Sequence, residues 1–156
     1  MKIISNSVKE TLNLGALLAR HLQAGDIICL QGDLGTGKTT LTKGIAEGLG
    51  VSRAEVTSSS FILIRQHLEG RVPLFHFDLY RLKEACNIAV LGYEEYFYGE
   101  GVSVIEWAEN LKYLMPKERL MVELSYHTGD KRAFNFAAIG VRYKELLGRL
   151  REDTGH

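Results

Sequence analysis

The chain has 156 residues, 46% hydrophobic and 24% charged, the make-up of a globular chain long enough to bury a core and of the length of one domain. Lys and Arg number 19, as do Asp and Glu, which argues against gripping nucleic acid by bulk charge, since that binding rests on neutralised phosphates. No run approaches the ~20 apolar residues of a membrane span, and the N-terminus lacks a basic-then-apolar signal pattern, so the expected compartment is the cytoplasm.

In chain order, Lys2 to Ser5 reads as a short strand. Asn6 or Ser7 can cap a following helix, whose Leu14, Leu17, Leu18 and Leu22 recur at helical spacing. "DIICLQ", Asp26 to Gln31, is a short apolar run like a buried parallel strand. Cys29 within it is far from Cys86, makes no CxxC pair, and reads as a small buried hydrophobe. A glycine-rich turn follows, then a helix with Leu41, Ile45 and Leu49 on one face, ending near Gly50, where Gly44 and Gly48 allow close packing. "FILIRQHLEGRVPLFHFDLY" reads as a hairpin that turns at Glu69 to Arg71. "VSVIEW" is another apolar strand, with a helix at about Ala108 to Leu114 behind it. "RLMVELSYHTGDKRAFNFAAIG" is a second hairpin, turning at Gly129-Asp130, and "VRYKELLGRLRED" is a closing amphipathic helix. This alternation predicts an α/β sandwich with a mixed, mostly parallel sheet flanked by helices, residues 1–156 forming one domain.

The strongest chemical signal is "GDLGTGKT", Gly32 to Thr39, which matches G-x-x-x-x-G-K-[ST] at every fixed position and is followed by Thr40. A strand precedes it and a helix follows, the context that the motif requires. Gly35 and Gly37 let the backbone curl so that amides, that of Thr36 among them, point at one phosphate, and the new helix adds its positive end. Lys38 is expected to reach the β- and γ-phosphates, and the Thr39 hydroxyl to ligate Mg²⁺. The fold is therefore expected to be a P-loop NTPase-like three-layer sandwich that binds a nucleoside triphosphate.

Such a loop needs a second metal-side carboxylate at the end of a neighbouring apolar strand, and "VSVIEW" supplies Glu106 there. Trp107, the only tryptophan, follows it and is placed to report nucleotide state. "HFDLYR", His76 to Arg81, has two faces: Phe77 and Leu79 point one way, His76, Asp78 and Tyr80 the other. Asp78 is a candidate to hold Mg²⁺ through water or to orient the attacking water. His76 and Tyr80 read as positioning or partner-contact residues, and Arg81 as a turn anchor or phosphate contact. "EVTSSSF", Glu55 to Phe61, reads as a hydroxyl-rich, switch-like loop in which Ser60 meets the metal and γ-phosphate.

"GDLGTGKTT", "VTSSSF", "HFDLYR", "LGYEEYF" and "VIEWAENL" together resemble the TsaE (YjeE) family of small bacterial ATPases, which serve threonylcarbamoyladenosine synthesis in tRNA. The resemblance covers essentially the whole chain. It implies ATP or ADP around Gly35 to Thr40, with Mg²⁺ at Thr39 and Glu106 and with Asp78 near the metal and the hydrolytic water. It also implies Thr11 and Arg132 beside the nucleotide. It further implies an accessory ATPase bound to the TsaB–TsaD heterodimer, touching tRNA only indirectly. The family's loop usually reads S-P-T-F where Ser58-Ser59-Ser60-Phe61 stands here, so a fixed φ is lost while the hydroxyl is kept. Cys86-Asn87 stands where relatives tend to carry Glu.

A small P-loop domain without an obvious arginine finger of its own is expected to hydrolyse slowly alone, since a missing arginine can cost ~10³ to 10⁵ in rate. Arg65, Arg71 and Arg81 are candidates for that role that sequence does not rank. Two other readings of the same loop are a small-molecule or nucleotide kinase and a GTPase-like switch. The chain has little spare length for a kinase's lid, and no N-K-x-D guanine motif.

Overall fold

The computed structural model describes residues 1–58 and 63–156. Seven strands form one sheet: β1 (Lys2–Ser5), β2 (Ile27–Gln31), β3 (Ile64–His67), β4 (Leu74–Asp78), β5 (Val102–Glu106), β6 (Arg119–Tyr126) and β7 (Arg132–Ile139). Their spatial order is β1-β7-β6-β2-β5-β4-β3. The four central strands β6, β2, β5 and β4 run parallel, and the antiparallel pairs lie at the two flanks. The helices are α1 (Val8–Ala19), α2 (Lys38–Leu49), α3 (Ala85–Ala89), α4 (Tyr93–Phe97) and α5 (Val141–Thr154).

β2 is apolar on both faces because both are covered, as a central parallel strand requires. Ile28 and Leu30 join a core with Leu18, Leu41, Ile45 and Leu146 from α1, α2 and α5. Ile27 and Cys29 join the opposite core with Phe77, Ile105, Ile88 and Phe97. The result is the expected three-layer sandwich. Burial pushes the Cys29 thiol up to about 12, in keeping with a small hydrophobe. Asp26 falls outside β2, where it accepts two hydrogen bonds from the Arg142 guanidinium.

Ser7, rather than Asn6, caps α1: its side chain accepts from the Glu10 amide, while the Glu10 carboxylate accepts from the Asn6 amide. That resembles a capping box, except that the carboxylate reaches the amide before the cap rather than that of Ser7. α1 and α2 run side by side in close approach, with Gly15 against the backbone of Leu41 and Ile45 and Gly44 against that of Leu12. Both hairpins form as expected, and Gly129 takes a positive φ of 62° in the second.

The helix expected at Ala108–Leu114 forms as a run of 3₁₀ turns, broken at Lys112 with φ 50° and ψ −118°. A sharp reversal there packs Ala108 and Leu111 into the core within a few residues. Two short helices, α3 and α4, occupy the stretch between β4 and β5 for which the sequence predicts no element. They carry Ile88 and Phe97 into the core.

Candidate functional site

The carboxyl ends of β2, β4 and β5 surround a cavity of about 470 Å³. It is lined by the turn after β2 (Leu34, Gly35, Gly37), the start of α2 (Lys38, Thr39, Thr40), and Asp78 at the end of β4 with Tyr80 and Arg81 just beyond it. Glu106 and Trp107 at the end of β5, with Ser58 and Leu63, complete the wall. A crevice outside the carboxyl ends of parallel strands is where open α/β sheets place their ligands.

The turn owes its shape to positive φ at Gly35 (78°) and Gly37 (104°), where a side chain would be strained. Thr36 is buried, and its hydroxyl donates to Asp33 O at 2.8 Å, so it braces the turn from inside. α2 opens at Gly37 with no side-chain cap, which leaves its first amides, and the positive end of the helix, to the cavity. Lys38 curls back: its Nζ donates to Asp33 O at 2.8 Å and to Gly32 O, and lies 4.1 Å from the centre of the Trp107 ring. Burial pulls the Lys38 ammonium below the usual lysine range, and the carboxylates of Glu106, Glu109, Asp33 and Asp78 oppose that.

Glu106 ends β5 with 2% of its surface exposed. Thr39 Oγ1 donates to its Oε1 at 2.7 Å, and His76 Nε2 donates to its Oε2 at 2.5 Å. Asp78 is the register partner of Glu106. Burial first, and then the Glu106 charge, raise the Asp78 carboxyl above the usual carboxylate range, while the Tyr80 amide, His76 and Lys38 lower it in part. Oxygens of this kind suit a hard cation such as Mg²⁺. Among the described residues no three His, Cys, Asp or Glu side chains converge as a metal cage.

Of the polar face of "HFDLYR", Asp78 and Tyr80 line the cavity and His76 is buried against Glu106, while Phe77 and Leu79 are fully buried in the core. His76 is only 2% exposed, bonded to Glu106, and so offers no surface to a partner. Tyr80 is exposed and its ring lies 4.9 Å from that of Trp107. Of the three arginines, Arg81 lines the cavity. Arg71 is spent elsewhere, donating to the carbonyls of Ala19 and Leu22. Arg65 does not line the cavity.

Thr11 is buried beside β1, where its hydroxyl shares a hydrogen bond of 2.8 Å with Ser5 and donates to Ser7 O. Arg132 stacks over Tyr126 at 4.6 Å. Neither lines the cavity. Ser58 does, but Ser59, Ser60 and Phe61 of the switch-like loop lie outside the described residues.

Two contributors escaped the sequence reading. Tyr126 donates from its hydroxyl to Leu34 O at 2.5 Å and so braces the exposed tip of the turn. Glu109, whose carboxyl burial raises while Lys38 lowers it, faces Lys38 and Asp33. Glu109 lies in "VIEWAENL", so its nearness to Glu106 was available as a signal. Tyr126 offered none.

A family model described as threonylcarbamoyl adenosine biosynthesis protein TsaE matches residues 5–134. A relative in Bacillus subtilis, named tRNA threonylcarbamoyladenosine biosynthesis protein TsaE, is 42% identical over 91% of this chain and 88% of its own. A protein of the same name in a Nostoc species is 43% identical over 94% of this chain and 91% of its own. The crystal structure of the Bacillus subtilis protein YdiB superposes with a TM-score of 0.85 at 38% identity, covering 99% of this chain and 95% of that one.

Proposed function

This chain belongs to the TsaE family of tRNA threonylcarbamoyladenosine biosynthesis, and from that premise we propose that it is a Mg²⁺-dependent ATP hydrolase built as one P-loop domain. It works in the cytoplasm, is slow alone, and supports the TsaB–TsaD heterodimer in modifying tRNA, which it reaches only through that pair. The balance of 19 basic and 19 acidic residues supports the indirect route.

One observation carries the reading. Thr39 and Glu106 meet at 2.7 Å beside Lys38, on the floor of a cavity faced by the uncapped start of α2. The donor set fits a nucleotide with Mg²⁺. Amides from Gly35 to Thr40 and Lys38 Nζ would hold the phosphates, and Thr39 and Glu106 would hold the cation, which when bound neutralises phosphate charge. Asp78 orients the attacking water or takes its proton, a role suited to a carboxyl raised toward neutral pH. Arg81, in the cavity wall, is the chain's own candidate for a phosphate-side cation.

The test is ATP hydrolysis with and without purified TsaB–TsaD, together with co-purification. Binding and stimulation are expected. Neither association nor stimulation would overturn the partner assignment, and transfer to an acceptor exceeding hydrolysis would replace the hydrolase by a kinase.

A further inference from the structure

Glu106 uses its two oxygens differently. Oε1 accepts from Thr39 at the cavity floor, and Oε2 accepts from His76 Nε2, behind it in the sheet. The bond to His76 follows from the parallel register. β4 and β5 pair His76 with Val104 and Asp78 with Glu106, so His76 and Glu106 stand on one face, one diagonal step apart. His76 and Glu106 are each 2% exposed. Water therefore does not compete for the bond, and buried polar atoms at that depth are held by hydrogen bonds within the protein.

We infer that His76 is a positioning residue for the metal carboxylate. It occupies Oε2 and so presents Oε1, in a fixed rotamer, to Thr39 and to the cation beside it. The inference rests on the proposed Mg²⁺ site and deepens it. It has the form of an outer-shell histidine that orients a first-shell carboxylate. Asp78 shares the face and the strand, but its Oδ1 accepts from the Tyr80 amide. His76 is the side chain bonded to Oε2.

The experiment measures ADP affinity through Trp107 emission as Mg²⁺ is titrated, for the unsubstituted chain, His76→Leu and His76→Gln. A glutamine amide can donate from nearly the position of Nε2, and leucine cannot. In His76→Leu the Mg²⁺ concentration for half-maximal tightening should rise about 10- to 100-fold, with Mg²⁺-free ADP affinity unchanged, and His76→Gln should restore most of the loss. Equal loss of both affinities in His76→Leu would make the residue merely structural and overturn the inference. So would a Mg²⁺ dependence left unchanged.

Ring ¹⁵N spectra of the unsubstituted chain need no substitution to fold. They should show His76 protonated at Nε2, with that signal moving when Mg²⁺ joins the ADP complex and staying put with ADP alone. A signal indifferent to Mg²⁺ would count against the inference. An unsubstituted chain whose ADP affinity ignores Mg²⁺ altogether would sink the proposed site itself, an outcome distinct from any difference between variants.

Discussion

Lys38 Nζ lies over the Trp107 ring at 4.1 Å from its centre, so the cation of the glycine-rich turn and the residue after Glu106 form one contact. Trp107 holds a left-handed backbone, φ 59°, which is uncommon for a bulky residue and persists where the surroundings enforce it. A ligand that drew Lys38 toward phosphate would strip a charge from the indole face. Trp107 emission should therefore change saturably with ATP or ADP. Lys38→Ala should weaken binding about 10- to 100-fold, the worth of a charge-assisted hydrogen bond. Full affinity in Lys38→Ala would remove the phosphate role of this lysine.

Asp78 carries a stability prediction with a definite sign. Its folded carboxyl is raised above the ordinary aspartate value of 3.8, chiefly by burial. In the window above 3.8 the folded state holds more protons than the unfolded one, so stability falls as pH rises through it. Asp78→Asn should melt higher than the unsubstituted chain at neutral pH, and the gap should close as the pH falls toward 3.8. Turnover should fall by about 10² or more, with nucleotide affinity nearly kept. Melting curves at several pH values and parallel binding and rate measurements check both halves. Equal loss of binding and turnover would assign Asp78 to ground-state binding.

What was legible in the sequence was what is local. The apolar run before Gly32 and the Leu41, Ile45, Leu49 stripe after it define β2, the turn and α2, because strand and helix periods are short-range signals. Alternation along "HFDLYR" separates buried Phe77 and Leu79 from His76 and Asp78 correctly, since a strand has a period of two. What alternation does not reveal is which strand lies alongside. That β4 neighbours β5, and so brings His76 to Glu106, is a pairing across 30 residues. The helices at Ala85–Ala89 and Tyr93–Phe97 are five residues each, too short to show a period. Arg71 could not be separated from Arg81 because its carbonyl partners lie 49 and 52 residues away.

The contact of α1 with α2 sets how the start of α2 sits against the sheet, and Gly15 is where α1 comes up against the backbone of α2. A Cβ there would meet Leu41 O at 2.6 Å and Ile45 N at 2.7 Å. Both are backbone atoms in a helix and cannot swing aside. Gly15→Ala would gain helix propensity in isolation, but here overpacking should dominate. The expected cost is about 1–3 kcal/mol, a melting point lower by roughly 2–12 °C for a chain of this size. An unchanged or higher melting point would show that the two helices separate without cost.

Tyr126 braces the glycine-rich turn from the β6–β7 hairpin, 92 residues along the chain from its acceptor Leu34. The hydroxyl also fills the space beside Gly35, where a Cβ would sit 2.7 Å from it. Arg132 lies on the ring's face, so Tyr126→Phe removes the hydrogen bond and keeps the stack. The ring is 53% exposed, which puts the bond near the low end of the usual 0.5–1.5 kcal/mol, or about a two- to threefold effect. The effect should fall on the loop and not on the core. Nucleotide release, followed by stopped-flow through Trp107, should speed up about two- to threefold, while the melting temperature stays within a degree or so. A release rate equal to that of the unsubstituted chain would show that the turn keeps its shape without the phenol, through Thr36 and the two glycines alone.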